Sequence, residues 1–294
     1  DSALLDAIES KMPELDARCV LITGEGSMFS AGYDITNLAD EILAEHAERL
    51  IGHPFTAAIE AIDAYPYPTV AALNGHAIGG GLELALSCDL RLAAAPIALG
   101  MPPAKLGVVY SHTGIRKFID AVGAARTREL FLVGRSIDAP TALQWGLVNA
   151  VIEPELLAEK SLELAVEIAA GAPLANRGNK RVIRAVLDAE ASLGPSAERE
   201  LIELRRACFS SEDFREGVRA FGEKRRPGGG GAEATSALTW RLGPSQGPRR
   251  LRRLTPTGKD LPARRLDHLE GEHPSRLDAG ITPTESRNCS HSAP

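Results

Sequence analysis

Two glycine-containing segments hold the residues whose types and spacing could do chemistry. The first reads Phe-Ser-Ala-Gly-Tyr-Asp at 29–34, and the second reads Asn-Gly-His-Ala-Ile-Gly-Gly-Gly-Leu-Glu-Leu at 74–84. Each follows a short apolar run typical of a buried strand, and glycine lets the backbone approach a ligand closely. The second segment leads into an apolar stretch without proline, which predicts a helix start with unpaired N–H groups. Two such groups converging on one oxygen would form an oxyanion hole.

Glu83 is the candidate acid or base beside the second turn. It stands at the start of a predicted helix whose neighbouring residues are Leu, Ala and Cys. Apolar surroundings raise the pKa of a carboxyl group, and a raised pKa suits proton transfer near neutral pH. The alternative role is structural, because a glutamate in a first helical turn also favours the helix dipole.

The elements that would position these groups alternate along the first half of the chain. Buried strands are predicted at 19–24, 69–74 and 89–94, and this alternation with helices indicates parallel βαβ units in an α/β fold. From about residue 113 the pattern turns helical, except for a strand at 148–152. Helices are predicted at 2–16, 38–63, 80–87, 114–121, 124–132, 139–145, 154–170, 173–190, 196–208 and 212–225.

Composition separates an acidic folded part from a basic tail. Residues 228–294 begin with four glycines and are dominated by Pro, Arg, Ser, Gly and Thr, without a sustained period. Such a stretch buries too little apolar surface to offset its ordering entropy. Of the chain's 33 basic and 39 acidic residues, the tail holds 10 and 7, which leaves a net charge of −9 for 1–227. We therefore predict a folded domain at 1–227 that does not bind nucleic acid, and a disordered or non-native tail at 228–294.

Several other classes of protein lack support in the sequence. The four cysteines show no C-x-x-C or metal-finger spacing, and H-E-x-x-H, phosphate-loop and G-x-S-x-G motifs are absent. No signal peptide or apolar run of membrane-spanning length is present. We expect a cytoplasmic protein with no metal ion and no membrane partner.

The two glycine-containing segments resemble those of the crotonase (enoyl-CoA hydratase/isomerase) superfamily. The family pattern F-S-A-G-x-D matches 29–34, and the pattern G-x-x-x-G-G-G-x-E matches 75–83, while 134–149 and 211–225 match later family segments. The resemblance extends over 1–227. It implies a spiral of ββα units with a C-terminal helical trimerisation region, an acyl-CoA thioester substrate, and a homotrimer or homohexamer. Because family members carry an N-terminal strand pair before the first helix, we expect this chain to lack those strands.

The resemblance assigns catalytic roles position by position. The backbone amides of Tyr33 and Gly80 would hold the thioester carbonyl oxygen while an enolate forms. Glu83 corresponds to one of the two catalytic glutamates of the hydratases. No cofactor is implied beyond the coenzyme A that forms part of the substrate.

The same resemblance implies which residues contact CoA. Ser30, Ala31 and Asp34 belong to the first motif, where Asp34 would cap the turn or fix the loop. Phe221 and Lys224 match positions at which a neighbouring subunit contacts the CoA nucleotide, although a lysine on a helix is also often merely solvated.

One departure from the hydratase pattern changes the expected chemistry. Hydratases carry G-x-P-E where this chain reads Gly-Met-Pro-Pro at 100–103, and the side chain of Pro103 cannot move a proton. The run at 101–115 is most similar to the methylmalonyl-CoA decarboxylases, which have a tyrosine at the position of Tyr110. The resemblance therefore implies loss of CO2 from a malonyl-type thioester, with Tyr110 orienting the carboxylate and Glu83 or water delivering a proton.

Two alternatives stay open from the sequence. The first is an enoyl-CoA hydratase or isomerase that works through Glu83 alone. The second is an acyl-CoA-binding protein without turnover, which the absent second glutamate and the missing N-terminal strands would both favour.

Overall fold

The computed structural model of this chain describes residues 2–33, 53–190 and 193–225, together with two short strands further on. The contacts divide the chain into two units, Asp1–Ala234 and Thr235–Pro294. Asp34 and most of the helix predicted at 38–63 lie outside the described residues.

The first unit alternates strands and helices and then becomes mainly helical. The helices at 139–145, 154–170 and 173–190 have the bounds that the sequence predicts. In chain order the elements are α1 (Ser2–Lys11), β1 (Val20–Thr23), β2 (Met28–Ser30), α2 (His53–Ala64), β3 (Thr69–Leu73), β4 (His76–Ile78), α3 (Gly80–Leu86), β5 (Leu90–Ala94), β6 (Ala98–Gly100), α4 (His112–Arg128), β7 (Ser136–Asp138), α5 (Ala139–Trp145), β8 (Ala150–Ile152), α6 (Pro154–Ala170), α7 (Pro173–Glu190), α8 (Pro195–Phe209) and α9 (Glu212–Gly222).

Two four-stranded sheets form the β part of this unit. The first has the order β1-β3-β5-β8 with all pairs parallel, and its strand β3 is buried along its whole length. The second has the order β2-β4-β6-β7, in which β2, β4 and β6 are parallel and β7 is antiparallel. Successive ββ pairs add one strand to each sheet, which gives the spiral of the crotonase fold.

The second sheet is the main difference from the sequence prediction. Its strands are three residues long, so they show too little alternation to be recognised by period. The prediction of a single strand after residue 113 is wrong, because Ser136–Asp138 pairs with Ala98–Gly100.

The helix α4 explains why the sequence pattern indicated two helices there. Gly123 interrupts it with a φ of 75° and a ψ of 165°, and a π-helical turn, Glu129–Val133, follows its end. Phe118, before the break, is fully buried and packs edge-on against Phe131 with ring centroids 4.9 Å apart. The break therefore lets both halves of the segment contribute to one core.

The two C-terminal helices of this unit pack over the turn that follows β6. Phe209, Phe214 and Val218 form a small buried cluster against Tyr33 and Val108. The backbone of α9 lies directly against the backbone of this turn, since a Cβ atom on Gly217 would lie 2.5 Å from the Leu106 carbonyl oxygen. Both helices therefore pack against the turn after β6 of their own chain.

The second unit contains two strands that the sequence did not predict. β9 (Ala237–Thr239) and β10 (Arg252–Leu254) pair antiparallel. Among the described residues of the whole chain, no helix has the length and apolar character needed to cross a membrane. The same residues include no group of three or more His, Cys, Asp or Glu side chains that could hold a metal ion.

Candidate active site

Three neighbouring parallel strands deliver the predicted site residues to one edge of the second sheet. β2 ends at Ser30 and leads to Tyr33, β4 leads directly to Gly80, and β6 leads to Pro103. Neighbouring strands lie about 4.8 Å apart, so segments that follow their carboxyl ends lie side by side. The Gly79 N–H extends the ladder by donating to the Gly100 carbonyl oxygen at 2.9 Å.

The two segments predicted to form the oxyanion hole are in direct contact. Gly32 has a φ of +90°, and a Cβ atom there would lie 2.9 Å from the Ile78 carbonyl oxygen and 3.2 Å from the Gly80 nitrogen. Gly80 is the first residue of α3, so its N–H has no acceptor within the helix. The structure therefore brings Gly32, the residue before Tyr33, against Gly80 at the start of α3.

Glu83 and Tyr110, which the sequence treats as separate candidates, form a hydrogen-bonded pair. The Tyr110 hydroxyl donates to Glu83 Oε2, and the Glu83 side chain is only 4% exposed. The Tyr110 ring packs edge-on against Phe131, with centroids 5.5 Å apart. Gly114 makes room for the pair, because a Cβ atom there would lie 2.7 Å from Tyr110 Cε1 and 2.8 Å from Glu83 Oε1.

Burial favours the neutral form of both members of the pair. Desolvation raises the pKa of Glu83, and the Tyr110 hydrogen bond and the charges of Lys117 and Arg205 oppose that rise. Desolvation together with the negative charge of Glu83 raises the pKa of Tyr110 well above its usual value. Lys117 is itself paired with Asp63 at 2.5 Å. The site thus holds a neutral phenol beside a carboxyl group biased towards its protonated form, which is the form that can donate a proton.

Replacing Glu83 with glutamine is expected to stabilise the fold at neutral pH. Because burial raises the pKa of Glu83 above its ordinary 4.5, the unfolded chain releases this proton at a lower pH than the folded chain. The stability linked to the protonated group is fully present below the ordinary pKa and is lost as pH rises through the raised pKa. Each pKa unit of that rise corresponds to about 1.4 kcal/mol in the free energy of unfolding.

This stabilisation is measurable by thermal unfolding. Glutamine cannot ionise, yet its side-chain oxygen still accepts the Tyr110 hydrogen bond. The Tm difference between the variant and the wild type should therefore grow from about pH 4 to about pH 7. A difference that does not change with pH would contradict the raised pKa of Glu83.

A cavity of about 1810 Å³ opens in front of these groups. Its wall includes most of the residues that the sequence predicted for the site: Ala31, Tyr33, Gly80, Glu83, Tyr110 and Phe221. The apolar character of much of the remaining wall suits an acyl chain.

Two of the predicted CoA contacts do not line this cavity. Ser30 instead supports the first loop, since its Oγ accepts a hydrogen bond from the Gly32 N–H at 3.2 Å. Lys224 is exposed, with a φ of 53° at the end of α9. Asp34, the third member of the first motif in that prediction, lies outside the described residues.

Pro103 stands where the resemblance places a second glutamate in hydratases. It is buried, lines the cavity, and its carbonyl oxygen accepts hydrogen bonds from the N–H groups of Leu106 and Val108, both at 3.0 Å. These bonds fix the turn that leads to Tyr110. The position therefore has a structural role and offers no group that transfers a proton.

Arg205 is a site residue that the sequence analysis missed. It lies on α8 and lines the cavity together with Leu201 and Leu204. Residues at positions i, i+3 and i+4 share one helix face. A charged residue on an otherwise apolar face was the available signal, but the sequence did not show that this face covers the site.

Comparisons with known proteins agree with the fold described above. The Enoyl-CoA hydratase/isomerase family matches residues 2–230. A 2,3-dehydroadipyl-CoA hydratase of Escherichia coli (strain K12) is 33% identical over 224 residues, covering 76% of this chain and 85% of that protein. A carnitinyl-CoA dehydratase of Citrobacter koseri is 36% identical over 217 residues, covering 73% and 81%. The solved structure of a methylmalonyl-CoA decarboxylase in complex with 2-nitronate-propionyl-CoA has a TM-score of 0.70 at 30% identity, covering 78% of this chain and 88% of that chain. The chain belongs to the enoyl-CoA hydratase/isomerase family of the crotonase superfamily.

Proposed function

We propose that this member of the family decarboxylates a malonyl-type acyl-CoA thioester such as methylmalonyl-CoA. The observation that carries the proposal is the hydrogen-bonded pair of Tyr110 and Glu83 in a cavity whose wall has a proline at position 103. Decarboxylation needs an enolate site, a group that orients the carboxylate and one proton donor. It needs no second carboxylate to activate water. The structural similarity to a methylmalonyl-CoA decarboxylase supports the proposal.

The proposed reaction begins with the thioester carbonyl oxygen at the amides of Tyr33 and Gly80. The bond between the α-carbon and the carboxylate breaks, CO2 leaves, and the electron pair moves into the enolate, whose negative charge the two amides stabilise. The Tyr110 hydroxyl has one proton, so in this step it donates to the substrate carboxylate instead of to Glu83. This bond orients the carboxylate so that the breaking bond stands perpendicular to the thioester plane, where the electron pair can enter the enolate.

Glu83 completes the proposed reaction by giving its proton to the α-carbon, and water returns a proton to Glu83. The raised pKa of Glu83 favours this role, because the carboxyl group must be protonated before the step. The chemistry needs no cofactor beyond the CoA of the substrate, since the backbone amides stabilise the developing charge.

A second candidate function is hydration or dehydration through Glu83 alone. The relatives named as a hydratase and a dehydratase favour it. Hydration requires one group to activate water and one to protonate carbon, and Pro103 can do neither. We therefore consider hydration or dehydration less well supported than decarboxylation.

Incubation of the full chain with methylmalonyl-CoA and, separately, with crotonyl-CoA tests the proposal by mass spectrometry. Propionyl-CoA from the first substrate, with crotonyl-CoA unchanged, supports decarboxylation. Hydrated crotonyl-CoA without propionyl-CoA overturns it in favour of the second candidate. If both substrates bind and neither changes, the chain is an acyl-CoA-binding protein without turnover.

We further propose that the protein is a homotrimer or homohexamer in the cytoplasm. Apolar side chains on α6 and α7 are exposed in the single chain, including Leu162, Val166, Leu174, Val182 and Ile183. Exposed apolar surface of this extent marks an interaction site. The three described cysteines are free thiols, which fits a reducing compartment. Light scattering of the purified protein measures the assembly, and cell fractionation measures the location.

A further inference from the structure

Arg205 places a positive charge in the wall of the cavity. Its Nε atom is buried and makes no hydrogen bond, and its guanidinium has no ion-pair partner among the described residues. Several other cations of the same wall are paired with acids, for example Lys117 with Asp63 and Arg116 with Asp120, each at 2.5 Å. A buried donor left unpaired is costly, so the arrangement indicates an acceptor supplied by a ligand.

The surrounding contacts hold Arg205 close to the reacting pair. Cys208, one turn further along α8, accepts a hydrogen bond at its Sγ from the Val109 N–H at 3.1 Å, directly before Tyr110. Burial raises the pKa of Glu83 and of Tyr110, and the positive charge of Arg205 opposes both rises. Arg205 therefore lies near this pair in the wall of the same cavity.

We propose that Arg205 binds a carboxylate carried by the acyl group of the substrate, and so makes the cavity select carboxylated acyl-CoA thioesters over uncharged ones. A guanidinium presents planar donors that match a carboxylate, and charge-assisted hydrogen bonds are stronger than those between neutral groups. The neutral form of Glu83 removes the repulsion that a second negative charge would cause. This inference rests on the proposed function and names the residue that sets its substrate class.

The charge of Arg205 should act on binding and not on the chemical step. The carboxylate is negative in the bound substrate, whereas in the transition state the charge moves towards the oxygen held by Tyr33 and Gly80. An interaction that is not stronger in the transition state does not raise kcat. Arg205→Gln should therefore raise KM for methylmalonyl-CoA and leave kcat unchanged or slightly higher. A purely structural role would lower kcat or Tm instead.

The direct test compares two thioethers that cannot decarboxylate, S-(2-carboxypropyl)-CoA and its carboxamide, by isothermal titration calorimetry on the full chain. The two ligands have the same shape and differ in charge. The wild type should bind the carboxylate more tightly. Arg205→Gln should weaken carboxylate binding by about 10- to 100-fold and leave carboxamide binding unchanged. Arg205→Lys should keep most of the preference, and Arg206→Gln, which changes an exposed neighbour, should behave as the wild type.

The outcomes separate this inference from the proposed function. Equal weakening of both ligands in Arg205→Gln, or an unchanged preference for the carboxylate, overturns the role of Arg205 even if the wild type releases CO2. If the preference depends on Arg205 but the wild type forms no propionyl-CoA from methylmalonyl-CoA, the carboxylate site stands and decarboxylation fails. In that case the cavity serves carboxylated acyl-CoA thioesters in another reaction.

Discussion

Replacing Tyr110 with phenylalanine is expected to lower kcat for methylmalonyl-CoA decarboxylation by about 10²- to 10³-fold, the effect of removing one preorganised donor in other enzymes. The variant loses the hydroxyl that bonds to Glu83 and that we propose orients the carboxylate. The phenyl ring keeps the edge-on contact with Phe131, so the fold should persist. Steady-state kinetics, with propionyl-CoA measured by mass spectrometry, gives kcat directly.

Tyr65→Phe is the matched control for this variant. Its hydroxyl is also buried, but it donates to the Ala17 carbonyl oxygen at 2.6 Å and accepts from the Ala17 N–H at 3.1 Å. Tyr65 does not line the cavity. The control should lose stability by about 1 kcal/mol and keep its kcat. If Tyr110→Phe keeps as much activity as Tyr65→Phe, Tyr110 has no part in the reaction.

Replacing Gly32 with alanine is expected to lower kcat by a similar factor of about 10² to 10³, because it separates the two oxyanion donors. The new Cβ atom would lie 2.9 Å from the Ile78 carbonyl oxygen and 3.2 Å from the Gly80 nitrogen, and both are backbone atoms that cannot rotate away. The loops before Tyr33 and Gly80 must move apart, so both amides can no longer reach one oxygen. KM should change less than kcat, because the amides act mainly on the enolate.

Gly26→Ala separates backbone strain from loss of the site. Gly26 has a φ of +73°, comparable to the +90° of Gly32, but a Cβ atom there meets no heavy atom within 4 Å. A left-handed backbone at alanine costs about 1–2 kcal/mol, so Gly26→Ala should lose about that much stability, and Gly32→Ala should lose more because of its added backbone contacts. Only Gly32→Ala should lose activity. Equal losses of kcat in the two variants would mean that strain, and not the contact with Gly80, explains the effect.

The sequence predicted the first sheet well and the second sheet poorly, for a physical reason. β3 and β5 are five residues long, and their apolar runs are long enough to distinguish a buried strand. The strands of the second sheet are three residues long, and pairing with neighbours distant in sequence stabilises them. Gly79 illustrates this, because its N–H donates to Gly100, 21 residues away, and nothing local to Gly79 indicates that bond.

In the candidate site as well, the sequence predicted the features that have a local motif and missed those that depend on contacts between distant segments. The glycine motifs indicated the backbone at Tyr33 and Gly80, and the missing glutamate at position 103 directed attention to Tyr110. The hydrogen bond between Tyr110 and Glu83 joins two segments 27 residues apart, and the sequence alone does not reveal it. Arg205 was missed because its relevance depends on how α8 packs over the cavity.

The placement of the site at the ends of β2, β4 and β6 also bears on how new activities arise in such a fold. Each strand belongs to a different turn of the spiral, so a side-chain substitution after β6 changes none of the residues after β2 and β4. Selection can therefore exchange the proton-transfer groups while it keeps the proposed enolate site. Evolution towards a different reaction then requires few mutations, which gives a structural reason why relatives of this chain are named hydratase, dehydratase and decarboxylase.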